Sequence, residues 1–150
     1  RAGSVMKKGK VFNRQSDIDF DGYVEGAFTV GIEGGRDGAI VDLGSSTDLQ
    51  RRYGYDETVG GGQGFASISR IEGDYLILQD YAEGSLQRLA EADALHEVEG
   101  NGSAPVAFDH VYLLRLVDRH DDDFERVVKL HVVEHVPGQS VTVRWVRIDD

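Results

Sequence analysis

The most specific catalytic motif in this sequence is the segment His131-Val132-Val133-Glu134-His135, which has the H-x-x-E-H spacing of a group of zinc metalloproteases. That chemistry needs a helix, because residues i and i+4 then share a face and two imidazoles can bind one zinc ion. The β-branched residues around the motif favour a strand, in which His131 and His135 share a face but lie roughly 13 Å apart. The sequence therefore predicts a strand here and no protease site.

Three consecutive carboxylates, Asp121, Asp122 and Asp123, stand at the tip of a predicted hairpin. Carboxylate oxygens are ligands for Ca²⁺, which makes these residues the candidate metal site and Ca²⁺ the one candidate cofactor. A calcium ion normally takes six to eight oxygens, however, and neighbouring Asp side chains diverge. The sequence favours a solvated loop at this position, with any further ligands coming from distant segments.

A glycine-rich segment, Gly60-Gly61-Gly62-Gln63-Gly64, has the composition of phosphate-binding loops. The Gly-Lys-Ser/Thr of a P-loop does not follow it, and the next residues are extended in character, so the segment lacks the helix N-terminus that binds phosphate. We expect a flexible connection. Such a loop could close over a ligand, which makes Tyr53 and Tyr55 candidate ligand-binding residues.

Acid–base chemistry by paired carboxylates is a further hypothesis, carried by Asp17, Asp19 and Asp21. They alternate with Ile18 and Phe20, so a strand would place the three carboxylates on one face about 7 Å apart. That separation lies in the range of some glycosidases. The interpretation that the sequence favours is an exposed strand whose charges prevent pairing with another sheet edge.

The elements that must position these groups are clearest after residue 110. Two predicted hairpins, one around His120-Asp121-Asp122 and one at the Pro137-Gly138 turn, can be registered by requiring that apolar residues share a face. The second turn is expected to pair Val136 with Gln139. The apolar pairs that result are Leu114 with Val128, Tyr112 with Leu130, Leu130 with Trp145, and Val132 with Val143.

The opposite face of these strands is mixed in character. It carries Val111, Leu113, Val127, Val133 and Val146 together with the basic side chains Arg115, Lys129, His131 and Arg144. A face of this kind suggests that another segment or a second copy of the chain packs on part of it, so we expect a homodimer as one alternative. The four basic side chains form a candidate binding site for a carboxylate or sulfate group.

The whole chain is expected to be all-β, a single antiparallel β-barrel or β-sandwich with at most one short helix near residues 85–95. Short runs rich in Val, Ile and Tyr between Gly, Asp and Ser clusters are typical of many strands joined by tight turns. Residues 84–97 could form either a helix capped by Ser85 or a strand. Residues 1–8 are expected to be a flexible segment or a cloning remnant, and residues 9–150 one β-rich domain. Further predicted strands are residues 17–21, 23–32, 39–43, 65–71 and 75–80.

Composition limits the classes of function. The 150 residues carry 16 Lys and Arg against 27 Asp and Glu, a net charge of -11, which disfavours nucleic acid and anionic lipid as partners. The chain has no cysteine, which excludes disulfides, thiolate zinc sites and cysteine nucleophiles. No apolar run approaches the roughly 20 residues that span a bilayer.

The C-terminal third, from His110-Val111-Tyr112-Leu113-Leu114-Arg115 through Lys129 and Val132-Val133 to Ser140-Val141-Thr142-Val143-Arg144-Trp145, resembles the end of small β domains in uncharacterised, mostly exported bacterial proteins. The resemblance covers about a third of the chain. It implies an all-β accessory domain and favours a periplasmic or extracellular location over a cytoplasmic one. It brings no activity, ligand or catalytic residue.

The function expected from the sequence is therefore that of a non-catalytic β domain for ligand binding or protein assembly. The alternative from another class is a carboxylate-based hydrolase, acting on saccharides, that would use the acidic segment at residues 17–21 and the loop bearing Tyr53 and Tyr55. The position of the three aspartates in the fold separates the two hypotheses.

Overall fold

The structure is a computed structural model that describes residues 4–8, 17–52, 65, 68–78 and 85–149. Most of the described residues are strand and only two short segments are helical, which confirms the all-β class. The elements within the described residues are β1 (Ser4–Lys7), β2 (Ile18–Phe20), β3 (Ala27–Val30), β4 (Arg36–Ser45), α1 (Ser46–Arg52), β5 (Ile68–Glu72), β6 (Tyr75–Leu78), β7 (Ser85–Arg88), α2 (Ala92–His96), β8 (Ser103–Pro105), β9 (His110–Asp118), β10 (Asp121–Val136) and β11 (Ser140–Arg147).

A five-stranded antiparallel sheet, the central sheet, organises the molecule in the strand order β1-β11-β10-β9-β4. Its register confirms the predicted core pairs, since Leu130 lies opposite both Tyr112 and Trp145. Leu114 likewise lies opposite Val128. The alternation of apolar residues was sufficient to predict this register, because a shift by one residue would move every apolar side chain to the other face of the sheet.

The turn between β10 and β11 differs from its predicted form by one residue. Val136 pairs with Ser140, not with Gln139, and the register shifts between Val132 and Glu134. This β-bulge takes up the extra residue, so the pairing of Val132 with Val143 is still the predicted one. The predicted pair at the turn was wrong because it assumed an uninterrupted ladder.

One face of the central sheet is covered by a three-stranded sheet of order β2-β3-β8. The first core lies between them and includes Phe20, Phe28, Tyr112 and Leu130, each with 2% or less of its surface exposed. The hydroxyl of Tyr112 donates a 2.6 Å hydrogen bond to the Pro105 carbonyl and accepts one from the Ala107 amide. This buried tyrosine therefore keeps its polar end paired, and burial raises its pKa.

The opposite face is covered by the chain itself. A second core forms there from strand β5, strand β6, helix α2 and the central sheet, with Ile68, Leu76, Leu95, Val111 and Leu113 all buried. The outer face of β9, β10 and β11, which was expected to be half covered, thus packs largely inside this second core. Val146, with 42% of its surface exposed, is the part left open. The homodimer stays a prediction, although most of the surface that motivated it is internal.

Two further expectations need correction. The described residues contain two short helices, not at most one, because Ser46–Arg52 is helical. Residues 84–97 are neither all helix nor all strand, since Ser85–Arg88 is strand β7 and Ala92–His96 is helix α2. The sandwich alternative fits the layered sheets, and within the described residues no closed barrel is formed.

The N-terminal segment also differs from its expected role. Ser4–Lys7 forms edge strand β1 and pairs with β11, with Met6 opposite Val141. Met6 has 1% of its surface exposed and belongs to the first core. Excluding these residues from the fold was wrong, because one long apolar side chain fills the end of that core. Among the described helices, none combines the length and apolar character needed to cross a bilayer.

Candidate functional site

The H-x-x-E-H segment lies in strand β10, as predicted, and cannot act as a helical zinc motif. The bulge before Glu134 reverses the alternation of faces, so the two histidines do not share a face as the sequence suggested. His131 stacks on Phe65 of the second core with ring centroids 5.7 Å apart, whereas His135 meets Phe20 of the first core edge-on at 5.9 Å. In the described part of the chain no group of three or more His, Asp or Glu side chains is arranged to hold a metal ion.

The carboxylates of Asp17, Asp19 and Asp21 were expected on an exposed strand face, and that expectation was wrong. All three side chains are buried. Asp19 accepts hydrogen bonds from the Gly22 and Tyr23 amides, and Asp21 accepts one from the Gly26 amide. Asp19 and Asp21 therefore hold the turn that leads into β3 (Ala27–Val30), because Asp side chains readily bond nearby backbone amides.

Asp17 is the most unusual of the three. One carboxylate oxygen accepts a 3.0 Å hydrogen bond from the Glu33 amide, while Oδ2 is buried without a partner. Burial raises the pKa of Asp17 to about 6, and the nearby charge of Glu33 adds to the rise, against the opposing effects of the Glu33 amide and of Arg36. Asp17 lines neither of two surface clefts that the described residues form along β9 and β10.

Asp17→Asn is expected to stabilise the protein at neutral pH. Ionising Asp17 costs more in the folded than in the unfolded chain, so its penalty is absent below the ordinary pKa of 3.8, grows as the pH rises to about 6, and is constant above. We expect a gain of about 3 kcal/mol at pH 7.5 and none at pH 3, measured by urea unfolding. Asp122→Asn, on the exposed hairpin, is the control. A gain independent of pH would contradict the assignment to Asp17 ionisation.

Three of the four predicted basic residues, Lys129, His131 and Arg144, do meet on one face of the central sheet, gathered around the ring of Phe65. Lys129 is buried, and its ammonium group donates hydrogen bonds of 2.6 and 2.7 Å to the carbonyls of Phe65 and Ile68. Burial, with the nearby charge of Arg144, lowers the pKa of Lys129 to about 8. This side chain ties Phe65 and the start of β5, which belong to the second core, to the central sheet.

His131 connects the same group to a carboxylate. Its Nδ1 lies 2.9 Å from Nη2 of Arg144, which can only donate, so Nδ1 accepts that bond and the ring proton sits on Nε2. Nε2 then donates to Asp109 Oδ1 at 2.9 Å. The other oxygen of Asp109 accepts a 2.7 Å hydrogen bond from the Ser46 hydroxyl at the start of α1. Burial raises the pKa of Asp109, but the bonds from His131 and Ser46 outweigh it and the pKa is lowered overall.

This chain of contacts is not a nucleophilic triad, because the serine hydroxyl donates to the carboxylate and not to the histidine. Neither Asp109 nor Ser46 was predicted from the sequence. A signal for Asp109 was present: the register pairs Val111 with His131, and residue 109, two residues before Val111 and just ahead of β9, is expected on the same side of the sheet. No sequence pattern indicated Ser46, which approaches only through the fold.

Arg115, the fourth basic residue, lies apart from the other three and lines a cleft of about 520 Å³ that we call the central cleft. The cleft runs between the β5–β6 turn, helix α2 and the C-terminal strands. Its charged lining comprises Glu72, Arg115, Asp123, Glu125, Arg126, Arg147 and Asp149. Arg115 Nε bonds Glu125 at 2.8 Å, and Arg147 binds both oxygens of Asp149 at 2.7 Å.

The aspartates proposed for calcium line a second cleft of about 550 Å³, the hairpin cleft. The chain turns at Arg119-His120, and the register shifts between Asp121 and Glu125. Asp121 Oδ1 accepts a hydrogen bond from the Asp123 amide, which uses one possible ligand atom locally. Calcium binding therefore stays a prediction without a prearranged ligand set among the described residues. Tyr53, Tyr55 and the segment 60–64 lie outside the described residues.

These observations define the class of the protein as an all-β domain of layered antiparallel sheets with two adjoining charged clefts. Comparison of the chain with protein-family models, with curated proteins and with solved structures gives no significant match.

Proposed function

We propose that this chain is a non-catalytic binding domain and that its ligand, a small molecule or a partner segment, occupies the central cleft. The observation that carries the proposal is the cleft itself. Its volume of about 520 Å³ falls in the usual range of ligand sites. Arg115 and Val127 in its wall belong to the middle strands of the central sheet, which gives the site a rigid base.

The side chains around the cleft favour binding over catalysis. Its described lining contains no Ser, Thr, Tyr, Lys or Cys, and two of its four carboxylates, those of Glu125 and Asp149, are bonded to arginines of the same cleft. Burial raises the pKa of Asp149, but hydrogen bonds from Arg147 and from the Val127 amide outweigh it and the pKa is lowered overall. A general acid needs a raised pKa, so this carboxylate is unsuited to that role.

The hydrolase alternative has lost one of the two features that motivated it. Asp19 and Asp21 bond the amides of the turn before β3, Asp17 bonds the Glu33 amide, and none of the three lines a described cleft. Export, and the homodimer through the outer face, remain predictions that the cleft neither requires nor opposes.

The proposal is tested by screening the protein against an array of peptides, glycans and metal ions and then mapping each hit by amide NMR. We expect at least one hit that shifts the amides of Gly73, Val127 and Arg147. Asp123→Trp, which places a large side chain at the junction of the two clefts, is expected to abolish that hit. Asp122→Trp is the matched control, since Asp122 lines only the hairpin cleft. Hits that map elsewhere and survive Asp123→Trp would overturn the proposal.

A further inference from the structure

Arg115 differs from the other arginines of the central cleft in what its guanidinium contacts. Arg147 uses Nε and Nη2 on the two oxygens of Asp149. Arg126 lies over the Phe124 ring at 4.5 Å and donates from Nη1 to the Glu125 carbonyl. Arg115 donates from Nε to Glu125. Among the described residues, its two Nη groups have no partner.

The position of Arg115 makes those free donors significant. It lies on β9 between Ala39 of β4 and Val127 of β10, so its backbone is fixed by strands on both sides. Its side chain is 18% exposed, and the bond to Glu125 fixes the plane of the guanidinium. Two parallel N–H groups in a fixed plane match the two oxygens of a carboxylate.

The negative charge of the chain and of the central cleft limits which carboxylate ligands can bind. The chain has a net charge of -11, and four carboxylates line the central cleft beside its three arginines. A simple anion would be repelled by this field before it reached Arg115. A ligand with a positive group as well as a carboxylate would be attracted by the field, and its cation would meet Glu72 or Asp123 in the same cleft.

Resting on the proposed function, we infer that the ligand of the central cleft is zwitterionic, an amino acid or a peptide carboxyl terminus with a nearby cation, and that Arg115 binds its carboxylate through both Nη groups. Glu125 is then a positioning residue, because it acts by orienting Arg115. The remaining cleft volume accommodates the body of the ligand.

The test is an amide NMR titration with free lysine, the tripeptide Gly-Gly-Lys, and the same two compounds with the carboxyl group amidated. We expect the free-carboxyl forms to shift the cleft amides and the amides to bind about tenfold more weakly or worse, since a charge-assisted bidentate contact is lost. Binding of lysine itself identifies an amino-acid site, and binding of the tripeptide alone identifies a peptide terminus.

Arg115→Gln is expected to weaken binding of the free-carboxyl forms by about tenfold or more. The matched control is Arg119→Gln, which removes the same charge at a 61% exposed position outside the cleft lining. Glu125→Gln keeps Arg115 but weakens the bond that orients it, so it should lower the affinity less than Arg115→Gln and retain the preference for the free carboxyl. The free energies of unfolding of both variants show whether a loss of binding comes from the fold. Equal binding of acid and amide at the cleft would overturn this inference and leave the proposed function standing. If neither these four compounds nor any member of the screening array shifts a cleft amide, both this inference and the proposed function are overturned.

Discussion

Replacing Gly31 with alanine is expected to destabilise the protein by about 3–5 kcal/mol, a large part of the stability of an ordinary domain. Gly31 has a φ of +73°, which costs any other residue energy. A Cβ added there would also lie 2.7 Å from the carbonyl carbon of Asp37 in strand β4. Because the obstacle is backbone, no side-chain rotation can relieve the clash. Urea unfolding followed by circular dichroism measures the loss.

Gly26 provides the control for this experiment. Its φ of +69° is nearly the same, but nothing lies within 4 Å of the added Cβ. Gly26→Ala should therefore show only the conformational cost, about 1–2 kcal/mol. If the two variants lost the same stability, the close approach of Gly31 to β4 would not be present in solution.

Leu113→Ala is expected to cost about 2–5 kcal/mol, as much as Leu114→Ala. The two residues are neighbours on β9 with opposite faces, and neither has any exposed surface. Leu114 belongs to the first core and Leu113 to the second. Equal losses in thermal or urea unfolding are the signature of a central sheet that is covered on both sides.

Val146→Ala is the matched control for Leu113. Both residues flank Lys129 in the same cross-strand row, one on β9 and the other on β11. Val146 is 42% exposed, so its truncation should cost less than about 1 kcal/mol. A small effect of Leu113→Ala, similar to that of Val146→Ala, would contradict the covering of this face by the second layer.

How far the sequence predicts the fold depends on the range of the contacts involved. The register of β9, β10 and β11 could be predicted because the strands are adjacent in sequence and one face is apolar throughout. The bulge at Val133 could not, since nothing local distinguishes a bulged valine from a paired one. The partner of β1 is separated from it by more than a hundred residues, so no local pattern indicates it.

In the candidate site too, only the contacts that follow from the register of neighbouring strands could be predicted. The neighbourhood of Lys129, His131 and Arg144 followed from the register, but whether solvent or protein covers them did not. Their covering comes from Phe65 and Ile68, which reach the central sheet from another part of the chain. The burial of Asp17, Asp19 and Asp21 was missed for a related reason. Carboxylates that alternate with apolar residues are exposed only where the backbone amides of a following turn do not bond and bury them.

The pairing of β1 with β11 has a consequence for biosynthesis. The ladder joins Ser4 to Val143, so the central sheet cannot be complete until the residues of β11 have left the ribosome. Met6 would remain exposed until then, although it ends in the first core. Such long-range pairing slows folding and leaves apolar strands uncovered in the nascent chain. A chaperone would therefore be of most use during synthesis, before β11 has left the ribosome.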